Sequence, residues 1–271
     1  MEKTKYKIGD VANLMGLSRD TLRHYEKRGI LTSQREDNGY RYYTDQDISR
    51  LISILYQRKM NIRLGDMKAI WNSDNTIDDL TEIMDTRLKE EEQSIRMHRQ
   101  NIARLQLAKA DCEDIRRNIG KITLLDFPAA YIIAPHLNLP QATEQWFYYA
   151  GKYSGLDMMY TFSEFTWAYD ENQALKTEHK NSQLILFEHL KEYVDYPVSV
   201  DTPMTPRSLL CVSTCCASAS IIPSEDDLVP MIRWAEQQGF LLSRQFYSTY
   251  TTRGRIDGQD SYFLRIYIPV F

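Results

Sequence analysis

Ser18, Arg19, Thr21, Arg23, His24 and Tyr25 fall within about two turns of a helix. Cationic and hydrogen-bonding side chains at that density suit a polyanion. Guanidinium groups answer phosphates and the O6/N7 edge of guanine, and hydroxyls add further bonds. Tyr40, Arg41 and Tyr42 form a second such set, and Lys59 stands just beyond the next apolar run. Far downstream the chemistry changes. Trp146, Phe147, Tyr148, Tyr149 and Tyr153 crowd one segment. Tyr160, Phe162, Phe165, Trp167 and Tyr169 crowd the next, and Phe246, Tyr247 and Tyr250 lie near the end. Tyr and Trp offer a flat apolar surface with a polar tip. Their faces attract organic cations at about 0.5–2 kcal/mol each. The same rings also serve as plain core.

If these segments are strands, Phe246, Ser248 and Tyr250 share one face, and so do Phe165, Trp167 and Tyr169. Glu164 and Glu188 are candidate carboxylates for a cation, although Glu164 would face away from Phe165 and Trp167 and can equally be a solvated side chain. The reading is a pocket for a small hydrophobic aromatic ligand, with Trp146, Tyr149, Tyr160, Glu164, Phe165, Trp167, Tyr169, Phe246, Ser248 and Tyr250 as its candidate wall.

Cys112, Cys211, Cys215 and Cys216 are too few for a disulfide scaffold and show neither CxxC nor zinc spacing. Neighbours on a strand, Cys215 and Cys216 would point to opposite faces. No cofactor or metal is expected. Walker A, GxGxxG and GxSxG patterns are absent, and no nucleophile–base pair has a defensible spacing. The chain reads as a binding protein and not an enzyme, a hydrolase-like activity of the aromatic half being the alternative.

Several elements must position these residues. Ile8 to Met15 has helical spacing and stops at Gly16; Ser18 caps a second helix running to Gly29. Two short helices across a tight turn make a helix-turn-helix or a plain αα-hairpin. Asn38-Gly39 predicts a hairpin leading into Tyr40–Tyr43, a wing. Two more helices follow, over 45–56 and 64–71. From Thr76 to Gly120 no Pro or Gly interrupts the pattern. Leu88, Ile95 and Ile102 repeat every seven residues, as do Leu105, Cys112 and Ile119, which predicts a coiled-coil seam and a homodimer. Beyond Gly120, strands are expected near 122–125, 130–139, 158–169, 208–219, 245–251 and 262–270, with helices over 142–153 and 226–238. Residues 182–193 carry no clear pattern.

The 271 residues suit about two domains. Net charge is +4 over residues 1–75, −2 over 76–120 and −6 over 121–271, so nucleic acid is expected at one end only. No run of about 18 apolar residues occurs, and the N-terminus lacks the apolar stretch of a signal peptide. A cytoplasmic protein without a membrane partner is the expectation.

Tyr6-Lys-Ile8-Gly9-Asp10-Val11-Ala12, Leu17 to Leu31 and Gly39-Tyr40-Arg41-Tyr42-Tyr43 resemble the MerR family of transcription regulators over roughly residues 6–71. The long helix resembles that family's antiparallel dimerisation helix. The second half is similar to the gyrase-inhibitor-like effector domain of its multidrug-sensing members, through the strand–helix order and Ala235-Glu-Gln-Gln-Gly239-Phe240. The resemblance implies a multi-domain α+β chain. Its parts are a winged helix-turn-helix over 1–75, a coiled-coil helix over 76–120 and an antiparallel-sheet effector domain over 121–271. It further implies a dimer on double-stranded promoter DNA that distorts the spacer for RNA polymerase holoenzyme in response to a small ligand. Arg19 is then the prime base reader. Arg23 is either a contact or a structural Arg, and Tyr25, Tyr40, Arg41 and Tyr42 grip backbone or pack under the wing. Multidrug members often carry a Glu two residues before a Tyr in the penultimate strand. Here that pair is Ser248 and Tyr250, so a sensor for a neutral or anionic metabolite is the alternative to a cation sensor.

Overall fold

The computed structural model describes residues 5–35, 39–256 and 258–271. The chain divides into two compact units, Met1–Ile95 and Arg96–Phe271. Their boundary falls within a 43-residue helix, so the segment expected to stand apart over 76–120 is shared by both units.

In the first unit a three-stranded sheet of β1 (Tyr6–Lys7), β2 (Gln34–Arg35) and β3 (Arg41–Tyr43), ordered β1-β3-β2, backs onto α1 (Ile8–Met15) and α2 (Arg19–Lys27). Gly16 closes α1 at φ 65°, a left-handed conformation that a side chain would strain. Ser18 then starts α2, its Oγ accepting from the Thr21 N–H at 3.0 Å. Thr44 and Asp47 form a capping box at the head of α3 (Asp45–Lys59), and α4 (Leu64–Trp71) follows. Leu22, Tyr25, Ile30, Leu31, Tyr43, Leu51, Ile54 and Met67 make one core. Leu80 and Ile83, from the start of α5 (Thr76–Asn118), pack against it. Asn38, half of the expected hairpin turn, lies outside the described residues.

The second unit is a seven-stranded antiparallel sheet. Its strands are β4 (Ile122–Asp126), β5 (Ala130–Leu137), β6 (Tyr160–Tyr169), β7 (Leu175–Phe187), β8 (Leu210–Ser218), β9 (Gln245–Ile256) and β10 (Gln259–Pro269). The order is β4-β8-β10-β9-β6-β7-β5. The unpatterned stretch 182–193 is the end of β7 followed by a 3₁₀ segment, Glu188–Tyr193. Helix α6 (Leu139–Lys152) starts earlier than its expected residue 142, because Pro140 is accepted in a first turn where no N–H partner is needed.

Strand alternation sorts the side chains. Phe165, Trp167, Phe246, Leu264 and Ile266 pack under α7 (Glu225–Gln237) with Leu228, Met231 and Ile232. Leu184 and Leu186 pack beneath α6. Thr161 pairs with Leu184 in the ladder and lies on the face of Phe165 and Trp167, so both helices cover one side of the sheet. The other side carries Phe162, Tyr247 and Tyr267 around Phe127, with Thr249 and Arg265 beyond them.

Candidate functional site

In the first unit the expected contact set divides by burial. Arg19, Arg23, His24, Tyr40 and Lys59 are exposed, as is the capping Ser18. Thr21 is half-buried, its hydroxyl 2.8 Å from Ser18 Oγ. Arg23 makes a 2.9 Å ion pair with Asp20 one turn away, so it is a surface side chain. Arg19 lies over α1: a methyl on Gly9 would come 3.0 Å from its Nη2. Tyr25 takes the inward of its two expected placements. It is buried in the core with Leu22 and Ile30, because α2 turns it inward on the same face as Leu22. Arg41 is half-buried, and Tyr42 also lies partly inside.

Glu26 joins the second helix to the wing. Its carboxylate accepts from Arg41 Nε at 2.9 Å and from the Tyr43 hydroxyl at 2.7 Å. Burial pushes this carboxyl up, but bonds from Ser33, Tyr43 and Arg41 together hold it below the usual glutamate range. Burial, with Glu26 beside it, pushes the Tyr43 hydroxyl up, so it remains a donor. Composition alone gave no sign of this pairing.

In the second unit a cavity of about 660 Å³ opens between the last turns of α5 and the sheet side not covered by α6 and α7. Helix α5 supplies Ala103, Leu107, Ala110, Asp111 and Asp114. The sheet supplies Tyr160, Thr249, Thr251, Arg265 and Tyr267, with Phe187, His189, Leu190 and Tyr193 closing one end. A neighbouring hollow of about 570 Å³ shares Leu107, Asp111, Tyr160 and Thr251, and adds Arg104, Trp146, Asp157, Met158 and Tyr250.

Polar contacts tie α5 to this unit. Arg96 pairs with Asp195 at 2.8 Å. Buried Gln100 donates to the Tyr193 carbonyl at 2.9 Å and accepts from Ser154 at 2.7 Å. Arg104 forks onto both oxygens of Asp157 at 2.6 and 2.7 Å. Asp111 accepts from the Tyr160 hydroxyl. Asp114 accepts from Arg265 Nη2 at 2.7 Å and from the Cys215 thiol at 3.4 Å. At about 100° per residue these anchors share one narrow arc of the helix, and Ile95, Ile102, Leu105 and Cys112 fall on the opposite side. Leu88, Ile95, Ile102 and Leu105 are 60%, 52%, 54% and 70% exposed, an apolar line left open in the single chain.

Three titrating groups stand out. Burial pushes the Asp111 carboxyl up; the Tyr160 bond works against this, and neighbouring Asp114 adds to it. Burial also pushes the Cys211 and Cys215 thiols up to about 12, so neither is a ready thiolate.

Of the expected ligand residues, Tyr160 lines both hollows, and Trp146 and Tyr250 line the second. The remainder lie elsewhere. Phe165 and Phe246 stack at 5.0 Å inside the core, and the buried Trp167 indole donates to the Ser243 carbonyl at 2.9 Å. Ser248 is buried on this same helix-covered side. The face chosen from the aromatic pattern is thus the one that α7 covers. Tyr250 pairs with Leu264 on the helix-covered side, and it lines the second hollow together with Thr161 of that same face. Tyr169 sits half-exposed at the end of β6, and Tyr149 packs with Tyr153 and Tyr196. Glu164 is on the cavity side of the sheet but accepts from Asn181 at 2.7 Å and is not part of the wall.

Asp111, Asp114, Thr249 and Arg265 escaped sequence reasoning. Their signals were faint: two acids three apart on the helix side away from the seam, and one charge inside the apolar run Leu264-Arg265-Ile266. The carboxylates of this cavity therefore come from α5, and not from the position of Ser248.

In comparison with known proteins, residues 6–74 match the family model described as MerR HTH family regulatory protein. The HTH-type transcriptional activator mta of Bacillus subtilis (strain 168) is 38% identical over 72 residues, 26% of this chain and 28% of that protein. The HTH-type transcriptional activator TipA of Streptomyces coelicolor is 38% identical over 66 residues, 24% of this chain and 26% of that protein. The chain thus spans about a quarter of the length of these curated relatives. A cryo-EM structure of an EcmrR–DNA complex aligns over 98% of this chain and 99% of that one, at 14% identity and a TM-score of 0.36. Among the described residues no helix is long and apolar enough to cross a membrane.

Proposed function

From the premise that residues 6–74 are a MerR-type helix-turn-helix domain, we propose that the chain is a dimeric transcription regulator controlled by a small hydrophobic ligand. The exposed set of Arg19, Arg23, His24, Tyr40 and Lys59 supports duplex DNA as the first partner. In this reading the N-terminal end of α2 enters the major groove and Arg19 reads a base edge. The relatives named as activators favour activation, with RNA polymerase holoenzyme as the second partner and spacer distortion as the controlled step. The exposed line from Leu88 to Leu105 supports an antiparallel pairing of two α5 helices.

The observation that carries the ligand-sensing part is the shared wall of the cavity. Asp111 and Asp114 form one side of it, and both belong to the helix whose Leu80 and Ile83 pack into the DNA-binding core. A ligand that binds one state of that helix better than another shifts the population the promoter meets. The paired strands and helices, both helices on one side and the cavity on the other, support a gyrase-inhibitor-like effector domain. A cationic group would meet Asp111, and Trp146, Tyr160 and Tyr250 would supply aromatic surface.

The test has two arms. Selection from a random duplex pool, followed by footprinting, is expected to return one two-fold symmetric site; the absence of any enriched site overturns the reading. Titration of the full chain with tetraphenylphosphonium and benzophenone, followed by Trp fluorescence and calorimetry, is expected to show saturable binding of at least one. Binding of neither removes the effector cavity.

A further inference from the structure

Arg265 and Thr249 face each other across the β9–β10 ladder, and both belong to the cavity wall. Each is more than nine-tenths buried, at 8% and 6% exposure. Arg265 spends Nη2 on Asp114, yet its Nη1 has no hydrogen-bond partner among the described residues, nor does Thr249 Oγ1. A buried guanidinium N–H without an acceptor is costly, and two such atoms side by side on a cavity wall are uncommon in a native fold. Burial pushes the nearby Tyr267 hydroxyl up, while the charge and hydrogen-bonding reach of the Arg265 guanidinium work against that; the geometry still leaves Nη1 itself without a partner among the described residues.

We propose that Arg265, seconded by Thr249, is the specificity-determining residue of the cavity and recognises a neutral ligand through a carbonyl-type acceptor oxygen. This rests on the effector reading given above. Charge decides the class. Asp114 already neutralises the guanidinium, and Asp111 stands beside it. An organic anion would therefore meet two carboxylates for one guanidinium. A neutral carbonyl takes the free N–H without that repulsion, and a single rotamer step turns the Thr249 hydroxyl to a second lone pair. A pure hydrocarbon of the same shape leaves both groups unpaired, which is the strongest form of discrimination a polar site offers. An oxygen that draws the guanidinium toward itself also draws it away from Asp114, so occupancy is registered on α5.

Benzophenone and diphenylmethane differ by the carbonyl alone and serve as probes, with diphenylacetate as the anion and tetraphenylphosphonium as the cation. Calorimetry on the full chain is expected to show benzophenone binding about tenfold tighter than diphenylmethane, with diphenylacetate weaker still. Arg265→Met removes the fork and leaves Asp114, which is partly exposed and tolerates the loss; the preference should fall to about one. Should Arg265→Met fail to fold, Arg265→Gln keeps one donor and should retain part of the preference. Equal binding of the two neutral probes in the parent chain overturns the proposal, as does a preference that survives Arg265→Met. Binding of tetraphenylphosphonium without benzophenone overturns the acceptor site but leaves the effector cavity standing. Binding of no probe removes the cavity reading itself.

Discussion

Glu26 Oε1 accepts the Tyr43 hydroxyl at 2.7 Å, joining the second helix of the first unit to the third strand of its small sheet. Tyr43 is fully buried, so the bond is its hydroxyl's outlet. Glu26→Ala should destabilise this unit by about 1–3 kcal/mol, the cost of stranding a buried donor and a half-buried Arg41. Urea unfolding checks the value, and a change within error would mean that water replaces the carboxylate.

The same residue sets an acid limit. The folded Glu26 carboxyl lies below its ordinary value of 4.5. Its ionised form therefore contributes stability that is fully present above 4.5 and is lost as pH falls through the lower folded value. Glu26→Gln should flatten the fall of the urea midpoint in that window and leave its shape near neutrality alone.

Asp111 behaves in the opposite sense. Burial holds its folded carboxyl above the ordinary value of 3.8, so ionisation costs stability as pH rises through the folded value. Asp111→Asn still accepts from Tyr160. It should stabilise the second unit slightly at neutral pH, and the gain should vanish below pH 3.8. Paired thermal melts at the two pH values measure it.

On DNA the two candidate cations should differ in kind. Arg19→Ala is expected to cost about 1–3 kcal/mol on the selected site and little on a scrambled duplex. Lys59→Ala should weaken both alike and lower the salt slope by about one. Fluorescence anisotropy over a salt series separates the two patterns. Equal losses for Arg19→Ala on both duplexes would make it a phosphate contact.

The open line on α5 gives a test of assembly. Ile95 and Ile102 are both more than half exposed in the single chain. Replacing both by Glu should turn a dimer into a monomer by light scattering at micromolar concentration, without changing the melting of the isolated cores. A parent chain that is already monomeric contradicts the seam.

Legibility in the sequence followed the length scale of the physics. Gly16, Ser18 and the capping pair Thr44–Asp47 act within one turn, and the helices they start and stop were readable. The long helix was readable because no Pro or Gly interrupts the chain from Thr76 to Asn118. Alternation along β6 and β9 grouped Phe165 with Trp167 and Phe246 with Ser248, but nothing local says which side a helix will cover. Arg265 and Asp114 lie 151 residues apart, and only the packing of α5 on the sheet brings them to 2.7 Å. Tyr25 stayed open between groove and interior because a tyrosine on a basic helix suits both equally well.

The ladder of anchors from Arg96 to Asp114 acts as a key. Each contact demands a particular side chain at a particular height, so α5 cannot move by a large part of a turn along the sheet and keep them. The next position with the same angular phase is one turn away, about 5.4 Å. A slide of one full turn would break the contacts of both Gln100 and Arg104. A signal carried that way would be digital, and its threshold would be set by how many anchors a ligand undoes.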